Sequence, residues 1–242
     1  MTGPPGLWFS GRVSVGGVEI LAPVSLEVPA GRWTCLLGAS GVGKSTLLQC
    51  FAGLGDGLVL EGSARASDGG ALQGRVAMMA QADLLMPWLS VRENVMLGAR
   101  LRGLRGDVTR AEELLRRVGL EALAGRKPRA LSGGQRQRAA LARTLYEDRP
   151  VVLLDEPFSA LDVATRARMQ ELAAEVLRGR TVLHVTHDPA EAARLGERVF
   201  VLTGQGLSEV AVEAPGPIPR APDTGETLAV TGRLTRLLLD AA

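Results

Sequence analysis

Lysine and histidine are nearly absent. Of 28 Lys+Arg residues in a chain of 242, only Lys44 and Lys127 are lysine, leaving 26 arginines, and the two histidines are His184 and His187. Scarce residues make any motif that needs them hard to meet by accident. Cysteine is equally scarce. Cys35 and Cys50 sit in apolar contexts without metal-ligand spacing, which argues against a disulfide framework and for two buried thiols. No run approaches the roughly 18 consecutive apolar residues that a membrane-spanning helix needs. From Met1 to Gly17 there is no basic segment followed by an apolar one, so no secretory signal is visible. A charge excess is lacking too: 28 Lys+Arg against 26 Asp+Glu give a formal net charge of +2, and a pI near 8.8 reflects near-cancellation. A nucleic-acid partner is therefore not expected. These absences predict a soluble cytoplasmic protein, free to dock peripherally on a membrane subunit.

The remainder is an ordinary globular balance, 46% hydrophobic and 22% charged, enough for a core of one or two domains and too apolar for disorder. The first segment reads as β: Val24, Leu26 and Val28 alternate with Ser25 and Glu27, and Gly16-Gly17 upstream fits a hairpin turn. Four short apolar runs then end in polar residues. Trp33–Leu37 meets Gly38, Val76–Ala80 meets Gln81, Val151–Leu154 meets Asp155-Glu156, and Thr181–Val185 meets Thr186-His187. Such runs suit parallel strands covered on both faces, and helical patterns separate them, so the expected fold is α/β. In open sheets of this kind ligands bind beyond the carboxyl ends of the strands, which makes those polar residues candidates for one site.

Pro87 to Arg149 looks different. Ser90-Val-Arg-Glu93 and Thr109-Arg-Ala-Glu112 each match a capping box, and Gly103 and Gly119 are stop signals, so a helical insert is expected there. Towards the end, Pro215, Pro217, Pro219 and Pro222 break regular structure. A short amphipathic helix with Leu234, Leu237 and Leu238 on one face is expected to follow.

Gly38-Ala39-Ser40-Gly41-Val42-Gly43-Lys44-Ser45, followed by Thr46, matches the P-loop pattern G-x-x-x-x-G-K-[ST]. At this composition a chance match is about three in a thousand. The glycines let successive N–H groups point at a β-phosphate, and a helix starting at Lys44 adds its N-terminal dipole. Lys44 brings a point charge to the β/γ-phosphates, and Ser45 a hydroxyl for Mg²⁺. Asp155 and Glu156 follow an apolar strand. Asp155 suits the Mg²⁺ shell, and Glu156 is placed to orient an attacking water; Pro157 predicts an extended backbone at Glu156.

Leu131-Ser132-Gly133-Gly134-Gln135 reads as a second anion site. Ser132 and Gln135 form a capping box, yet a purely structural first turn would not take two glycines, each costing up to about 1 kcal/mol against alanine. Glycines there let a phosphate approach a helix N-terminus.

With this segment the chain resembles the ATP-binding subunit of ABC transporters, from about Leu7 to Leu207. Leu131–Gln135 resembles the family signature, Asp155-Glu156 its Walker B aspartate and following catalytic glutamate, and Ser159-Ala-Leu-Asp162 its D-loop. Gln81 resembles the Q-loop glutamine and His187 the switch histidine. The resemblance implies a RecA-like P-loop NTPase fold: a mostly parallel sheet, an N-terminal antiparallel β subdomain and an inserted helical subdomain. The core would span about 1–85 and 150–210, the insert about 86–149, within an ATPase domain of 1–214 and a tail of 215–242. It implies ATP and Mg²⁺ as ligands, with Gly38 to Thr46 on ATP, Ser45, Gln81 and Asp155 at the metal, and Glu156, His187 and Gln81 catalytic. It also implies a head-to-tail dimer in which Ser132, Gly133, Gly134, Gln135 and Asp162 contact the nucleotide of the second copy.

One departure stands out. The family carries an aromatic residue near Val15 to stack on adenine; here only an aliphatic contact remains, unless Trp8 or Phe9 substitutes. The segment Leu84-Leu-Met-Pro87-Trp88-Leu-Ser-Val-Arg-Glu-Asn94-Val resembles importers of the nitrate, sulfonate, taurine and aminopyrimidine group. That implies integral membrane permease partners, a solute-binding protein behind them, and a place at the cytoplasmic face of the membrane. Met86 and Trp88 are then candidates for the permease contact, with core packing of the insert as the alternative. Two other readings are weaker. A soluble ABC ATPase acting on DNA or ribosomes predicts a coiled-coil insertion or a second cassette, and a lone P-loop kinase or GTPase leaves Leu131–Gln135 unexplained.

Overall fold

A computed structural model describes residues 3–214 and 216–240, so Pro215 lies outside the described residues. The chain divides into two compact units: Met1–Val76, Arg149–Asp155 and Arg178–Ala242 in the first, Ala77–Asp148 and Glu156–Leu177 in the second.

The first unit opens with β1 (Leu7–Val15) and β2 (Val18–Val28), an antiparallel hairpin in which Val15 faces Val18. The two-residue loop between them needs positive φ at both positions, which Gly16 (φ 56) and Gly17 (φ 83) supply, as the glycine pair predicted. Val24, Leu26 and Val28 are buried, while Ser25 and Glu27 are exposed. β4 (Leu58–Ala66) pairs with the other edge of β1, giving a three-stranded antiparallel sheet. Its small and charged residues hid it from a reading based on apolar periodicity.

The second sheet of this unit carries the expected parallel strands. β3 (Trp33–Gly38) lies between β7 (Thr181–Thr186) and β8 (Arg198–Thr203), and β6 (Val151–Asp155) pairs parallel with β7. β3, β6 and β7 are buried along their whole length, which is why they read as continuous apolar runs. β8 and the antiparallel edge strand β9 (Gly206–Val210) extend the sheet beyond what the sequence predicted. Helix α1 (Lys44–Ala52) packs on β6 and β7, and α7 (Pro189–Leu195) packs on β3. The last helix, α8 (Gly225–Asp240), lies against α7 through Thr227, Val230 and Leu234. Leu237, expected on that face, is 37% exposed; the buried stripe follows the 227–230–234 spacing instead. Cys35 is buried and Cys50 half-buried, both as free thiols. Burial pushes both thiols up, Cys35 by the most.

β5 (Val76–Met79) leads into the second unit, which is helical: α2 (Val91–Val95), α3 (Leu97–Leu101), α4 (Val108–Arg117), α5 (Gly133–Tyr146) and α6 (Val163–Val176). Ser90 and Glu93 form the expected capping box of α2. The box expected at Thr109 and Glu112 does not form. Asp107 caps α4 instead, its carboxylate accepting from Arg110 N at 3.0 Å, so Thr109 already lies inside the helix. Asp is as good a cap as Thr, and the extended backbone at Asp107 decides the start. Gly119 (φ 66) follows the last turn of α4 as the expected left-handed stop.

Candidate nucleotide site

In the first unit the P-loop joins β3 to α1. Gly41 (φ 83) and Gly43 (φ 99) both take left-handed backbone, and Gly43 is the N-cap of α1 without a side-chain cap. The N–H groups of the first helical turn therefore lack the side-chain acceptor that serine or aspartate would supply. A Cβ at Gly43 would lie 2.9 Å from the Ile20 carbonyl oxygen, so β2 passes against the loop and fixes glycine there sterically as well. Lys44, at the first helical position, is buried, and its ammonium donates to Gly38 O at 2.8 Å and Ala39 O at 2.6 Å. The ammonium is thus held along the arch of the loop.

Asp155 ends β6 and is 4% exposed. Its carboxylate, like the Ser45 hydroxyl, is a hard-oxygen donor, the chemistry that suits magnesium beside phosphate oxygens and water. Among the described residues no cluster of three or more His, Cys, Asp or Glu offers an all-protein metal cage. His187 is exposed just past β7. Its turn is held from below: Asp188 N donates to Thr186 Oγ1 at 3.0 Å, and that hydroxyl donates to Glu191 Oε2 at 2.9 Å. Asp188 caps α7 and Pro189 opens it. His184 is fully buried between Cys35 and Glu191, a core histidine.

Neither aromatic near the hairpin is available for a base. Phe9 is in the core, edge-on to Phe51 with ring centroids 6.1 Å apart. Trp8 is half-buried, with the Arg65 guanidinium 4.5 Å over its ring. Val15 is 42% exposed at the tip of the hairpin, and Val18 and Ile20 are exposed along β2.

In the second unit, Gln81 Nε2 donates to Glu156 Oε2 at 3.3 Å, so these two expected site residues are in contact. The backbone of Glu156 is not extended. Its φ is 48, in the left-handed region. Proline at 157 disfavours the right-handed helical region for Glu156, but it leaves this alternative open. Three donors hold it: the Glu156 carbonyl accepts from Gln137 Nε2 at 3.0 Å, Ser159 Oγ at 3.1 Å and Ser159 N at 3.4 Å. Left-handed backbone at a non-glycine residue costs about 1–2 kcal/mol, so it persists only where surrounding bonds over-determine it.

Ser132 caps α5 and forms the expected box: Ser132 N donates to Gln135 Oε1 at 2.8 Å, and Gln135 N to Ser132 Oγ at 3.3 Å. Ser132 and Gly133 are exposed. The two glycines have different local reasons. A Cβ at Gly133 meets nothing closer than 4.0 Å, whereas at Gly134 it would press on Ala160 O at 3.1 Å and Leu161 Cδ2 at 3.4 Å. Asp162 caps α6 through Thr165 N at 3.0 Å, and that bond holds its carboxyl below the usual range.

Sequence reasoning passed over the residues that hold these segments. Gln137 was not singled out; its signal was a polar side chain one turn after Gly134, on the face that continues as Leu141. Arg136 and Arg143 were missed as well. Arg136 Nε donates to Asp83 Oδ2 at 2.9 Å, and the two terminal nitrogens of Arg143 donate to Asp83 O and Leu84 O, each at 2.7 Å. Asn94 bridges to Met86 from both ends of its amide, taking Met86 N at 2.7 Å and giving to Met86 O at 3.2 Å. This clasped segment presents Leu84, 57% exposed, and Trp88, 67% exposed, so core packing does not account for Trp88.

The family model "ABC transporter" matches residues 21–159. The aliphatic sulfonates import ATP-binding protein SsuB 1 of Rhodococcus jostii is 48% identical over 194 residues, covering 78% of this chain and 75% of the relative. The aliphatic sulfonates import ATP-binding protein SsuB 2 of Burkholderia lata is 44% identical over 235 residues, covering 95% and 83%. Among solved structures, the dimeric, post-hydrolysis state of the ATP-binding cassette MJ0796 bound to ADP and Pi superposes with a TM-score of 0.75 at 30% identity. It covers 86% of this chain and 100% of that one. The chain belongs to the ABC transporter family, as an ATP-binding, ATP-hydrolysing subunit of its import group.

Proposed function

We propose that this chain energises uptake of a small solute of the sulfonate class by closing head-to-tail on a second copy around two ATP molecules. The carrying observation is that one chain holds two glycine-rich helix starts, Gly43–Lys44 at α1 and Ser132–Gly134 at α5. A lone P-loop enzyme has use for one. In this reading Gly38 to Thr46 cradle the phosphates, Lys44 meets the β/γ-oxygens, and Ser45, Asp155 and Gln81 serve Mg²⁺, which when bound neutralises developing phosphate charge. Ser132, Gly133, Gly134, Gln135 and Asp162 serve the nucleotide of the second copy.

Hydrolysis then follows from the chain's own groups. Glu156 orients a water and accepts its proton as the new O–P bond forms and the bond to the ADP oxygen breaks. The Gln81–Glu156 hydrogen bond supports a shared water for these two, and His187 steadies the γ-phosphate. The insert of about 86–149 acts as the helical subdomain. The Leu84–Trp88 segment, with Leu84 and Trp88 exposed, takes the permease, which places the chain peripherally at the cytoplasmic face of the membrane, below a solute-binding protein. A reading as a DNA- or ribosome-associated ATPase has no comparable observation behind it.

ATP hydrolysis by purified protein, with and without Lys44→Ala, tests this. Loss of the ammonium removes charge that develops its full worth in the transition state, and turnover should fall at least about a hundredfold. A variant that retains turnover within about threefold contradicts the assignment.

A further inference from the structure

The residue that ties the signature helix to the backbone of Glu156 is Gln137, to which nothing so far gives a role in the reaction. It lies on α5 one turn beyond Gly134 and is 7% exposed. Its amide is used from both ends. Nε2 donates to Glu156 O at 3.0 Å and to Ser159 Oγ at 3.2 Å, while Oε1 accepts from Ala160 N at 2.9 Å. Ser159 Oγ passes the contact on, donating to Glu156 O at 3.1 Å. Gly134 lies against the same turn, with a Cβ there only 3.1 Å from Ala160 O. One side chain therefore clamps three features: the helix that starts at Ser132–Gly134, the left-handed backbone at Glu156 (φ 48), and the turn that runs into Asp162.

A buried glutamine could serve only to satisfy its own donors and acceptors. Its targets argue for more. Glu156 holds an unfavourable backbone conformation, and a carboxylate that orients water must be aimed to within a fraction of an ångström. The carbonyl that Gln137 grips belongs to the very residue whose side chain is aimed.

We propose that Gln137 is a positioning residue that makes the signature turn and Glu156 one mechanical body, so that docking of the partner's nucleotide on Ser132 and Gly134 sets the aim of this chain's own Glu156. This rests on the reading of Glu156 and the signature given above. Engagement at one ATP would then license hydrolysis at the other through side chains of a single subunit.

Two variants test it. Gln137→Glu keeps the acceptor for Ala160 N and removes both donors; Gln137→Met removes the clamp at near-equal volume. Thermal melting shows which variants fold, and steady-state kinetics are read on those. Both should lose about tenfold or more in kcat with the KM for ATP within about twofold, the pattern of an interaction realised only in the transition state. The Hill coefficient for ATP should fall towards 1. A folded variant with kcat within about twofold of the unaltered protein overturns the proposal, as does a kcat unchanged beside a raised KM. Glu156→Gln run in parallel separates the two failures. If Glu156→Gln is inactive and the Gln137 variants are fully active, only this inference fails. If Glu156→Gln itself turns over normally, the underlying reading of the site fails.

Discussion

Val15 is the residue at which this chain parts most clearly from its family resemblance. It stands on the hairpin tip with Val18 and Ile20, all exposed and all aliphatic, while Phe9 is committed to the core and Trp8 to Arg65. An aliphatic ledge gives a base some apolar contact but neither ring stacking nor hydrogen-bond readout. ATP and GTP should therefore be hydrolysed with KM values within about threefold of each other, and Val15→Tyr should lower the KM for ATP by about two- to tenfold. A strong intrinsic preference for ATP would contradict this account of the base. Residues of this scale divide by the range of the interactions that place them. Lys44, Ser45 and the glycines before them are legible because a P-loop is contiguous, and its backbone demands are local. The left-handed backbone of Glu156 and the clamp of Gln137 are not, because the bonds that decide them join residues 19 to 23 positions apart. Pro157, the one local cue, restricts Glu156 without choosing its conformation.

At the scale of elements, the segment 83–94 is held by side-chain bonds at several points while it exposes Leu84 and Trp88. Leu84 sits at φ 47, a strained value for a non-glycine residue. Arg143 holds its carbonyl, Arg136 fixes Asp83, and Asn94 closes the loop on Met86. Burial lowers the Arg143 guanidinium from its ordinary value. Such bracing suits a surface that must present large apolar side chains in a fixed pose to a partner. Trp88→Ala should shift the melting temperature by no more than about 2 °C, since an exposed side chain contributes little to stability. It should also abolish co-purification with the membrane subunits. Retained co-purification would move the docking surface elsewhere. Elements were read well where pattern and burial coincide, as in β3, β6 and β7, and where caps are local, as at Ser90 and Ser132. They were misread where two good caps compete, Thr109 against Asp107. They were missed where strands are half-exposed and mixed in character, as in β4 and β9.

At the scale of the whole molecule, the composition that opened the sequence now has a chemical reading. One of two lysines stands in the P-loop, where a compact ammonium fits the phosphates better than an arginine fork. One of two histidines stands just past β7, and the other is buried in the core beneath it. In the proposed reading the chain supplies the parts of an ATP site, and its second glycine-rich helix start, at α5, serves a phosphate that another molecule brings. That is the central claim, and it concerns assembly rather than any single residue. Glu156→Gln preserves shape and hydrogen bonding while removing the base, so ATP should be trapped unhydrolysed between two copies. The most direct test is gel filtration of Glu156→Gln with ATP and Mg²⁺. The account predicts a stable dimer that reverts to monomer when ATP is replaced by ADP. A species that stays monomeric with ATP and turns over as fast as the unaltered protein would contradict it.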